Sequence, residues 1–301
     1  MPAIFVIGSS NTDMVVKSGK LPAAGETIIG GRFLMNAGGK GANQAVAAAK
    51  LGASVTFACK TGNDIFGAQA VSDFQKAGIN TSYVLTDNEQ PSGVALILVD
   101  DKGENSISVA SGANGNLHIA ELDDFIDQIN KGDIVLLQLE IPVPTVEQAI
   151  RRCHAKGAVV ILNPAPAQKL DGAVFSFINI ITPNETEAEL LTNKKVTDIN
   201  TAEAAATVLQ NMGVATVIIT MGAKGAYLHS GSIKKLIPAL IVTAIDTTAA
   251  GDVFNGALAV ALSENKELEH AVHFACKAAA IAVTRMGAQA SAPTRDEIQP
   301  D

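Results

Sequence analysis

A run of small residues near the end of the chain, Asp246 to Asp252 (DTTAAGD), combines backbone N–H groups with a carboxylate, and phosphate chemistry requires both. It lies between the strand-like LIVTAID and the helix-like VFNGALAVAL, so Ala249, Ala250 and Gly251 are predicted to present backbone N–H groups to an anion at a helix start. Asp252 would repel an anion that was merely bound. A phosphoryl-transfer enzyme needs both groups, because a carboxylate must accept the proton of the attacking hydroxyl. The alternative is an ordinary acidic residue favoured by the helix dipole.

The commoner nucleotide-binding motifs are absent from the sequence. GKGANQ, from Gly39, begins like GxGxxG but lacks the last glycine, and no buried strand directly precedes it. Lys40 follows a glycine as in a P-loop, but Gly41 stands where Ser or Thr should ligate magnesium. A nucleotide would therefore be bound by another device.

The elements that must position this chemistry alternate between strand and helix patterns, which is typical of a mostly parallel sheet covered by helices. Two β-rich stretches interrupt the alternation, DMVVK with ETIIGGRFLM, and a hairpin-like pair at about 94–110. We predict that they form one small sheet, a lid built from about 12–38 and 93–110, on a single α/β domain over 1–301. Helices are predicted at 43–52, 66–78, 144–156, 185–192, 201–213, 252–263 and 267–285.

Composition excludes several classes of function. The chain has 301 residues and a net charge of −8, which argues against general binding of nucleic acid or anionic membranes. Cys59, Cys153 and Cys276 lie far apart, so neither a zinc site nor a disulfide framework is indicated. No apolar run is long enough to span a bilayer, and no leader is recognisable, so a cytoplasmic protein is expected.

Six motifs together resemble the ribokinase-like carbohydrate kinases: GGKGANQA, LNPAPA, ITPNETE, TMGAKG, DTTAAGDVFNGAL and VTRMGAQASAP, in the expected order between positions 8 and 293. The resemblance implies a three-layer α/β/α domain with a mostly parallel sheet and a β-sheet lid. It implies transfer of the γ-phosphate of ATP to the 5-hydroxyl of D-ribose, with Mg²⁺ and K⁺ as cofactors and a homodimer joined through the lid. Deoxyribose kinase, another furanose or nucleoside kinase, and a non-catalytic sugar-binding regulator are the alternatives.

The resemblance also assigns roles at the sugar. Asp252 is expected to be the base, with Ala249, Ala250 and Gly251 as the anion hole. A polyhydroxylated ligand favours carboxylates and amides that pair with two hydroxyls at once. Taken alone, Asn43 could be a plain helix cap and Glu140 a solvated strand end, while Lys40 could serve phosphate charge. The expected sugar-binding residues are Asn11, Asp13, Gly39, Lys40, Gly41, Ala42, Asn43, Glu140 and Asp252, with Asn11 on the 2-hydroxyl.

The motif ITPNETE predicts a helix start with Thr182 as N-cap, Pro183 at the first position and Glu185 at the third. That leaves Asn184 and Glu187 without a structural role, and the resemblance puts them near the ATP phosphates and the hydrated Mg²⁺. The other expected nucleotide-binding residues are Thr220, Met221, Gly222, Ala223, Lys224, Gly225, Gly251 and Cys276.

The resemblance finally implies a monovalent cation beside the anion hole. Its ligands would be mostly backbone carbonyls, so residue identity is a weak signal there. The matching positions are Asp246, Thr248, Ala282, Arg285, Gly287 and Ser291.

Overall fold

The computed structural model describes residues 2–298. Strands are β1 (Ile4–Ile7), β2 (Asn11–Lys17), β3 (Arg32–Gly38), β4 (Val55–Gly62), β5 (Asn80–Asp87), β6 (Gly93–Val99), β7 (Asn105–Ala110), β8 (Ile134–Leu137), β9 (Val159–Leu162), β10 (Ile180–Ile181), β11 (Thr216–Thr220), β12 (Ala226–Ser230) and β13 (Ile233–Ile237). Helices are α1 (Lys40–Lys50), α2 (Ile65–Lys76), α3 (Asp123–Gln128), α4 (Val143–Ala155), α5 (Glu185–Thr192), α6 (Ile199–Asn211), α7 (Ala250–Ser263) and α8 (Leu268–Ala282).

The main sheet has nine strands in the order β13-β12-β11-β10-β9-β8-β1-β4-β5. Every pairing from β11 to β5 is parallel, while β12 and β13 are antiparallel additions at one edge. Central strands such as IFVI in β1 are buried over their whole length, because helices cover both faces of a parallel sheet. The predicted α/β class with a mostly parallel sheet is confirmed.

Alternate side chains of β1 enter two separate cores. Ile4 and Val6 pack with residues of α1, α7 and α8, whereas Phe5 and Ile7 pack with residues of α3, α4 and α6. This alternation follows from the two-residue period of a strand. It produces three layers, helices on sheet on helices, as the family resemblance implied.

The two β-rich interruptions meet in a second sheet of four strands, in the order β3-β2-β6-β7. β2 pairs parallel with β6 from the distant hairpin, and each strand also pairs antiparallel with its own neighbour in sequence. The predicted small sheet is therefore present. Its β3 begins only at Arg32, because Gly30 and Gly31 have positive φ angles of 104° and 105° that interrupt a strand.

Helices α1 and α7 pack unusually closely because both are rich in alanine and glycine. A Cβ added to Gly256 of α7 would lie 2.8 Å from Cβ of Ala47 and 2.8 Å from the carbonyl oxygen of Gln44 on α1. A Cβ at Gly41 would likewise lie 2.6 Å from the amide nitrogen of Ser9, just after β1. These contacts bring the starts of both helices to the carboxyl end of β1.

Several sequence predictions of local structure are wrong. The run LIVTAID is no strand: residues 238–245 follow edge strand β13 without pairing, and Ile241 and Ile245 are exposed. β5 was not predicted at all. α6 begins at Ile199 because Asp198 caps it, and α8 ends at Ala282 rather than 285. Over residues 2–298, no helix is both long and apolar enough to cross a membrane.

Candidate active site

The predicted chemical groups meet at the carboxyl ends of the central strands, under the starts of α1 and α7. This edge is where parallel sheets bind ligands. Asp252, in the first turn of α7, has a side chain only 5% exposed. Its Oδ2 accepts a hydrogen bond from Nδ2 of Asn43 at 2.9 Å, and its Oδ1 accepts one from Nε2 of Gln44 at 3.1 Å. Two amides of α1 thus hold one oxygen each of the carboxylate of α7.

Burial raises the pKa of Asp252, and the charge of Lys40 and the two amide donors partly oppose that rise. Asn43 is therefore a partner of Asp252, not the cap of α1: the N-cap is Gly39, with no side-chain bond. The Oδ1 of Asn43 is buried without a hydrogen-bond partner in the described structure. Such an acceptor is suited to a ligand hydroxyl.

The backbone at the start of α7 leaves amide groups available. Ala249 has a left-handed conformation with φ 59°, which turns the chain sharply into the helix. The N–H of Ala250 donates to the carbonyl oxygen of Thr247 at 3.2 Å, but those of Ala249, Gly251 and Asp252 find no partner within residues 2–298. The chain thus places free N–H groups directly beside the Asp252 carboxylate.

Asp13 and Glu140 add two carboxylates to the site, and Lys40 lies among them. Burial, with the charges of Glu140 and Asp252, raises the pKa of Asp13 to about 6. Burial alone would lower the pKa of Lys40, but the surrounding carboxylates of Asp252, Glu140, Glu187 and Asp13 outweigh it and raise that pKa. Lys40 is the ammonium that balances this acidic group.

Local glycines and backbone contacts hold these charges in place. A Cβ at Gly38 would lie 2.3 Å from either carboxylate oxygen of Asp13, so only glycine leaves room for that side chain. Glu140 lies three residues beyond β8, and its Oε2 accepts from the backbone N–H of Lys40 at 2.9 Å and from Oγ of Ser9 at 2.5 Å. Glu140 therefore satisfies a free amide at the start of α1 and is not a solvated strand end.

A cavity of about 310 Å³ opens beside Glu140. Asn11 lines it, and its Oδ1 accepts from Nδ2 of Asn114 at 2.8 Å. Asn114 is itself fixed because both its side-chain atoms bond the backbone of Ser10. The Nδ2 of Asn11 is left as a donor for a ligand. The remaining lining residues are Val109, Ser111, Gly115, Leu139, Ile141, Pro142, Val143, Pro166 and Gln168.

The helix start in ITPNETE differs from its prediction. α5 begins at Glu185, and its N-cap is Asn184, whose Oδ1 accepts from the N–H of Glu187 at 2.8 Å. Glu187 returns a bond to the N–H of Asn184 at 2.9 Å, so the two residues form a capping box. Thr182, predicted as N-cap, instead donates its hydroxyl to Asn255 at 2.7 Å. The predicted helix range of 185–192 is confirmed, whereas Thr182 as the cap and Pro183 as the first position are wrong because Asn184 caps the helix.

One other predicted nucleotide residue, Thr220, lies beside this helix start. Thr220, at the end of β11, forms an isolated bridge with Asn184. The rest of TMGAKG forms the turn into β12, with Lys224 bonded to the carbonyl of Thr197 at 2.7 Å. Cys276 is buried in α8, and burial raises its pKa to about 12.

The predicted cation residues are brought together by Asp246. Its two carboxylate oxygens accept the N–H groups of Thr248 and Gly287, each at 2.9 Å, which joins the loop before α7 to the turn after α8. Ser291 is buried in that turn, and the ammonium of Lys50 binds the carbonyl oxygens of Gln289, Ala290 and Ala292. Ala282 and Arg285 flank the turn, where the carbonyl of Ala282 accepts the N–H of Arg285 at 3.0 Å.

The donor types available decide which metals fit. Backbone carbonyls and a carboxylate are the ligand types of a monovalent cation, and in this turn the carbonyls of Gln289, Ala290 and Ala292 already accept the ammonium of Lys50. The described residues contain no group of three or more His, Cys, Asp or Glu side chains that could hold a metal. Glu187, expected near a hydrated Mg²⁺, accepts the N–H of Asn184 with its Oε2 at 2.9 Å.

Sequence reasoning missed Gln44 and Asn114, which touch Asp252 and Asn11. Gln44 directly follows the predicted site residue Asn43 in GGKGANQA, and this adjacency was a signal that could have identified it. Asn114 carried none, because its partners are 103 and 104 residues away in the chain.

This fold and site define a sugar kinase, and the chain belongs to the pfkB family of carbohydrate kinases, whose pattern matches residues 1–295. The chain is 46% identical to the ribokinase of Haemophilus influenzae over 98% of its own length and 96% of that protein. It is 39% identical to the deoxyribokinase of Salmonella typhimurium, covering 98% of this chain and 96% of that one. The structure of Arabidopsis thaliana ribokinase complexed with ribose and ATP superposes with a TM-score of 0.92, at 32% identity, covering 99% of this chain and 97% of that one.

The raised pKa of Asp13 predicts a pH-dependent effect of Asp13→Asn on stability. The folded protein binds the proton of the Asp13 carboxyl more tightly than the unfolded chain does. The contribution of this carboxyl to stability is therefore complete below the ordinary pKa of 3.8 and is lost as pH rises through about 6. Asp13→Asn should therefore raise the free energy of unfolding, relative to the native chain, by about 1–2 kcal/mol more at pH 8 than at pH 5.

Urea denaturation at the two pH values measures this difference. Asp101→Asn, at an exposed position, is the matched control and should show no such difference. Equal effects of Asp13→Asn at pH 5 and pH 8 would show that the Asp13 carboxyl titrates normally.

Proposed function

We propose that this chain transfers the γ-phosphate of ATP to the 5-hydroxyl of D-ribose, giving D-ribose 5-phosphate and ADP. The observation that carries the proposal is the buried carboxylate of Asp252, held by two amides directly beside free N–H groups at the start of α7. The identity with curated ribokinases, 46% and 42% over nearly the whole chain, supports ribose as the acceptor.

Asp252 is the proposed general base. Donors on both oxygens favour the ionised form of the carboxylate and keep it in one orientation, so that it can accept the proton of the 5-hydroxyl as the new O–P bond forms. The free N–H groups of Ala249, Gly251 and Asp252 are placed to stabilise the charge on the phosphoryl group as it is transferred. Lys40 supplies a positive charge close to the same group.

The acceptor sugar is proposed to lie between Asp252 and the cavity beside Glu140. Asp13 and Glu140 present carboxylate oxygens, Asn43 presents a buried Oδ1 without a partner, and Asn11 presents Nδ2. A ring of hydroxyls can satisfy all four, because each hydroxyl both donates and accepts. Asn11 is assigned to the 2-hydroxyl, which favours ribose over 2-deoxyribose.

ATP is proposed to bind along α5 and the β11–β12 turn, with Asn184 and Glu187 on the phosphate side and Thr220 to Gly225 with Cys276 at the nucleoside. Mg²⁺, held mainly by the phosphates and by water near Glu187, would neutralise phosphate charge. K⁺ would lie in the carbonyl-rich turn joined by Asp246, a proposal that the solved potassium complex of Escherichia coli phosphofructokinase-2 supports only at the level of fold. A cytoplasmic location is proposed with these roles, because ATP is kept inside cells.

We also propose a homodimer joined through the small sheet. The register puts Phe33, Met35 and Leu96 on one face, opposite to the face of Asp13 and Val109, and all three are at least half exposed. Apolar residues clustered on an outer face indicate a protein contact. The sheet would thereby keep its inner face towards the sugar.

Replacing Asp252 with Asn should abolish turnover while ribose still binds. We expect kcat to fall by about 100- to 10,000-fold, because the base is lost but the shape of the pocket is kept. Coupled ADP release, with and without K⁺, measures turnover, and calorimetry measures ribose binding. Turnover at the native rate would refute the proposed base, and a native chain that binds ribose without turnover would indicate the alternative, a non-catalytic sugar-binding regulator.

Asn11→Leu should change the choice of sugar. Losing the donor to the 2-hydroxyl should lower kcat/KM for ribose by about 10- to 100-fold. The kcat/KM for 2-deoxyribose should stay within about threefold of its value in the native enzyme. The measurement is the ratio of kcat/KM for the two sugars. An unchanged ratio, or a native enzyme that prefers 2-deoxyribose, would remove Asn11 as the selecting residue and favour a deoxyribose kinase.

Met35→Lys should separate the dimer, because it puts a charge on the proposed contact face. Ile107→Lys is the matched control: Ile107 has the same 55% exposure as Met35 but faces inward. Light scattering should give the mass of a dimer for the native chain and the control, and of a monomer for Met35→Lys. A native monomer would contradict the proposal.

A further inference from the structure

We infer that Gln44 is a positioning residue that fixes the orientation of the Asp252 carboxylate for the reaction. Gln44 also joins this carboxylate to the free amides of α7 through a buried chain of hydrogen bonds. The inference rests on the proposed role of Asp252 as the base. Gln44 itself is completely buried, so it reaches no ligand and acts through Asp252 alone.

The side chain of Gln44 can adopt only one orientation. Its Nε2 donates to Oδ1 of Asp252 and to Oδ1 of Asn163, both at 3.1 Å, and its Oε1 accepts from Nε2 of Gln138 at 2.7 Å. Because an ionised carboxylate only accepts hydrogen bonds, the amide nitrogen must face Asp252. Gln138 then holds the other end and prevents the amide from turning over.

The hydrogen-bonded chain continues from Asn163 to the loop of free amides. Nδ2 of Asn163 donates to the carbonyl of Thr182 at 3.2 Å, and the hydroxyl of Thr182 donates to Oδ1 of Asn255 at 2.7 Å. Nδ2 of Asn255 donates to the carbonyl of Gly251 at 2.8 Å. The base and the amides beside it are therefore fixed by one connected set of side chains.

The fold explains why these polar residues meet. Gln138, Asn163 and Thr182 each directly follow the last residue of a neighbouring parallel strand, β8, β9 and β10. Gln44 and Asn255 project towards them from the closely packed helices α1 and α7. The three strand ends thus form a polar floor beneath the site, and Gln44 connects that floor to Asp252.

A purely structural role for Gln44 is the alternative. Burying an amide is costly unless its atoms are bonded, and an apolar side chain would fill the same volume without that cost. The use of a polar side chain here is explained by the carboxylate. Asn43 holds Oδ2 of Asp252 and Gln44 holds Oδ1, and with only one of these bonds the carboxylate could rotate about its Cβ–Cγ bond.

The test uses the full-length enzyme with Gln44→Met, which keeps the volume but removes the donor, and Gln44→Glu, which keeps the shape. Ser263→Ala is the matched control, since it removes a buried hydrogen bond, from Oγ to the carbonyl of Val260 at 2.8 Å, at the end of α7 opposite to Asp252. The readouts are kcat and KM for ribose, the pH profile of kcat, and the melting temperature.

For Gln44→Met we expect kcat to fall by about 10- to 100-fold with the ribose KM within about threefold. Losing a donor to the ionised form raises the pKa of the base, so the acid limb of kcat should move up by about 0.5–1 pH unit. Gln44→Glu should move it further, because a second carboxylate faces Asp252. Ser263→Ala should lower the melting temperature while kcat stays within about threefold of native and its pH profile is unchanged.

A native kcat and acid limb in Gln44→Met would overturn the inference, even if the melting temperature fell, since Gln44 would then be only structural. Should Gln44→Met fail to fold, Gln44→Glu decides by the same criteria. Asp252→Asn separates the proposed role of Asp252 as the base from the inferred role of Gln44. If Asp252→Asn is inactive while the Gln44 variants keep native kcat and acid limb, only the inference about Gln44 fails. If Asp252→Asn keeps native turnover, the proposed base fails and the inference falls with it.

Discussion

The need to keep a buried carboxylate charged is the constraint on which the site depends. Asp252 is removed from water, so the protein must replace the hydration that an ionised carboxylate loses. Amide donors of Asn43 and Gln44, the positive charge of Lys40 and the positive end of the α7 dipole provide that replacement. Such fixed dipoles need no rearrangement during reaction, and this makes a buried base useful in a phosphoryl-transfer site.

The packing of α1 against α7 follows from this constraint. The two helix starts must lie close enough for side chains of one to bond the carboxylate of the other. Gly256 and the alanines of α1 allow that approach, since a Cβ at Gly256 would meet Cβ of Ala47 at 2.8 Å. Small residues in these helices therefore allow α1 and α7 to approach closely enough for Asn43 and Gln44 to bond Asp252, besides filling the core.

Under the proposed function, the acidic side chains around Lys40 would serve both binding and chemistry in one pocket. Asp13, Glu140 and Asp252 repel each other, which is one cause of the raised pKa of Asp13. Sugar hydroxyls donate to such carboxylates, and a bound sugar would therefore relieve part of the repulsion. The same carboxylates come from β2 of the small sheet, from the segment after β8 and from α7, so the pocket is complete only when both sheets are in place.

The sequence by itself determined the α/β class and the small sheet, because strand and helix periods are local properties, and its small-residue turn DTTAAGD led to the hypothesis of a base beside free amides. Tertiary structure alone decided that residues 238–245 leave the sheet, that Asn184 rather than Thr182 caps α5, and that Gln44 and Asn114 orient Asp252 and Asn11. These outcomes depend on partners brought near by folding, such as Gln44 and Asp252, 208 positions apart. A hydrogen bond has no periodicity along the chain, so its partners are known only once helices and strands have packed.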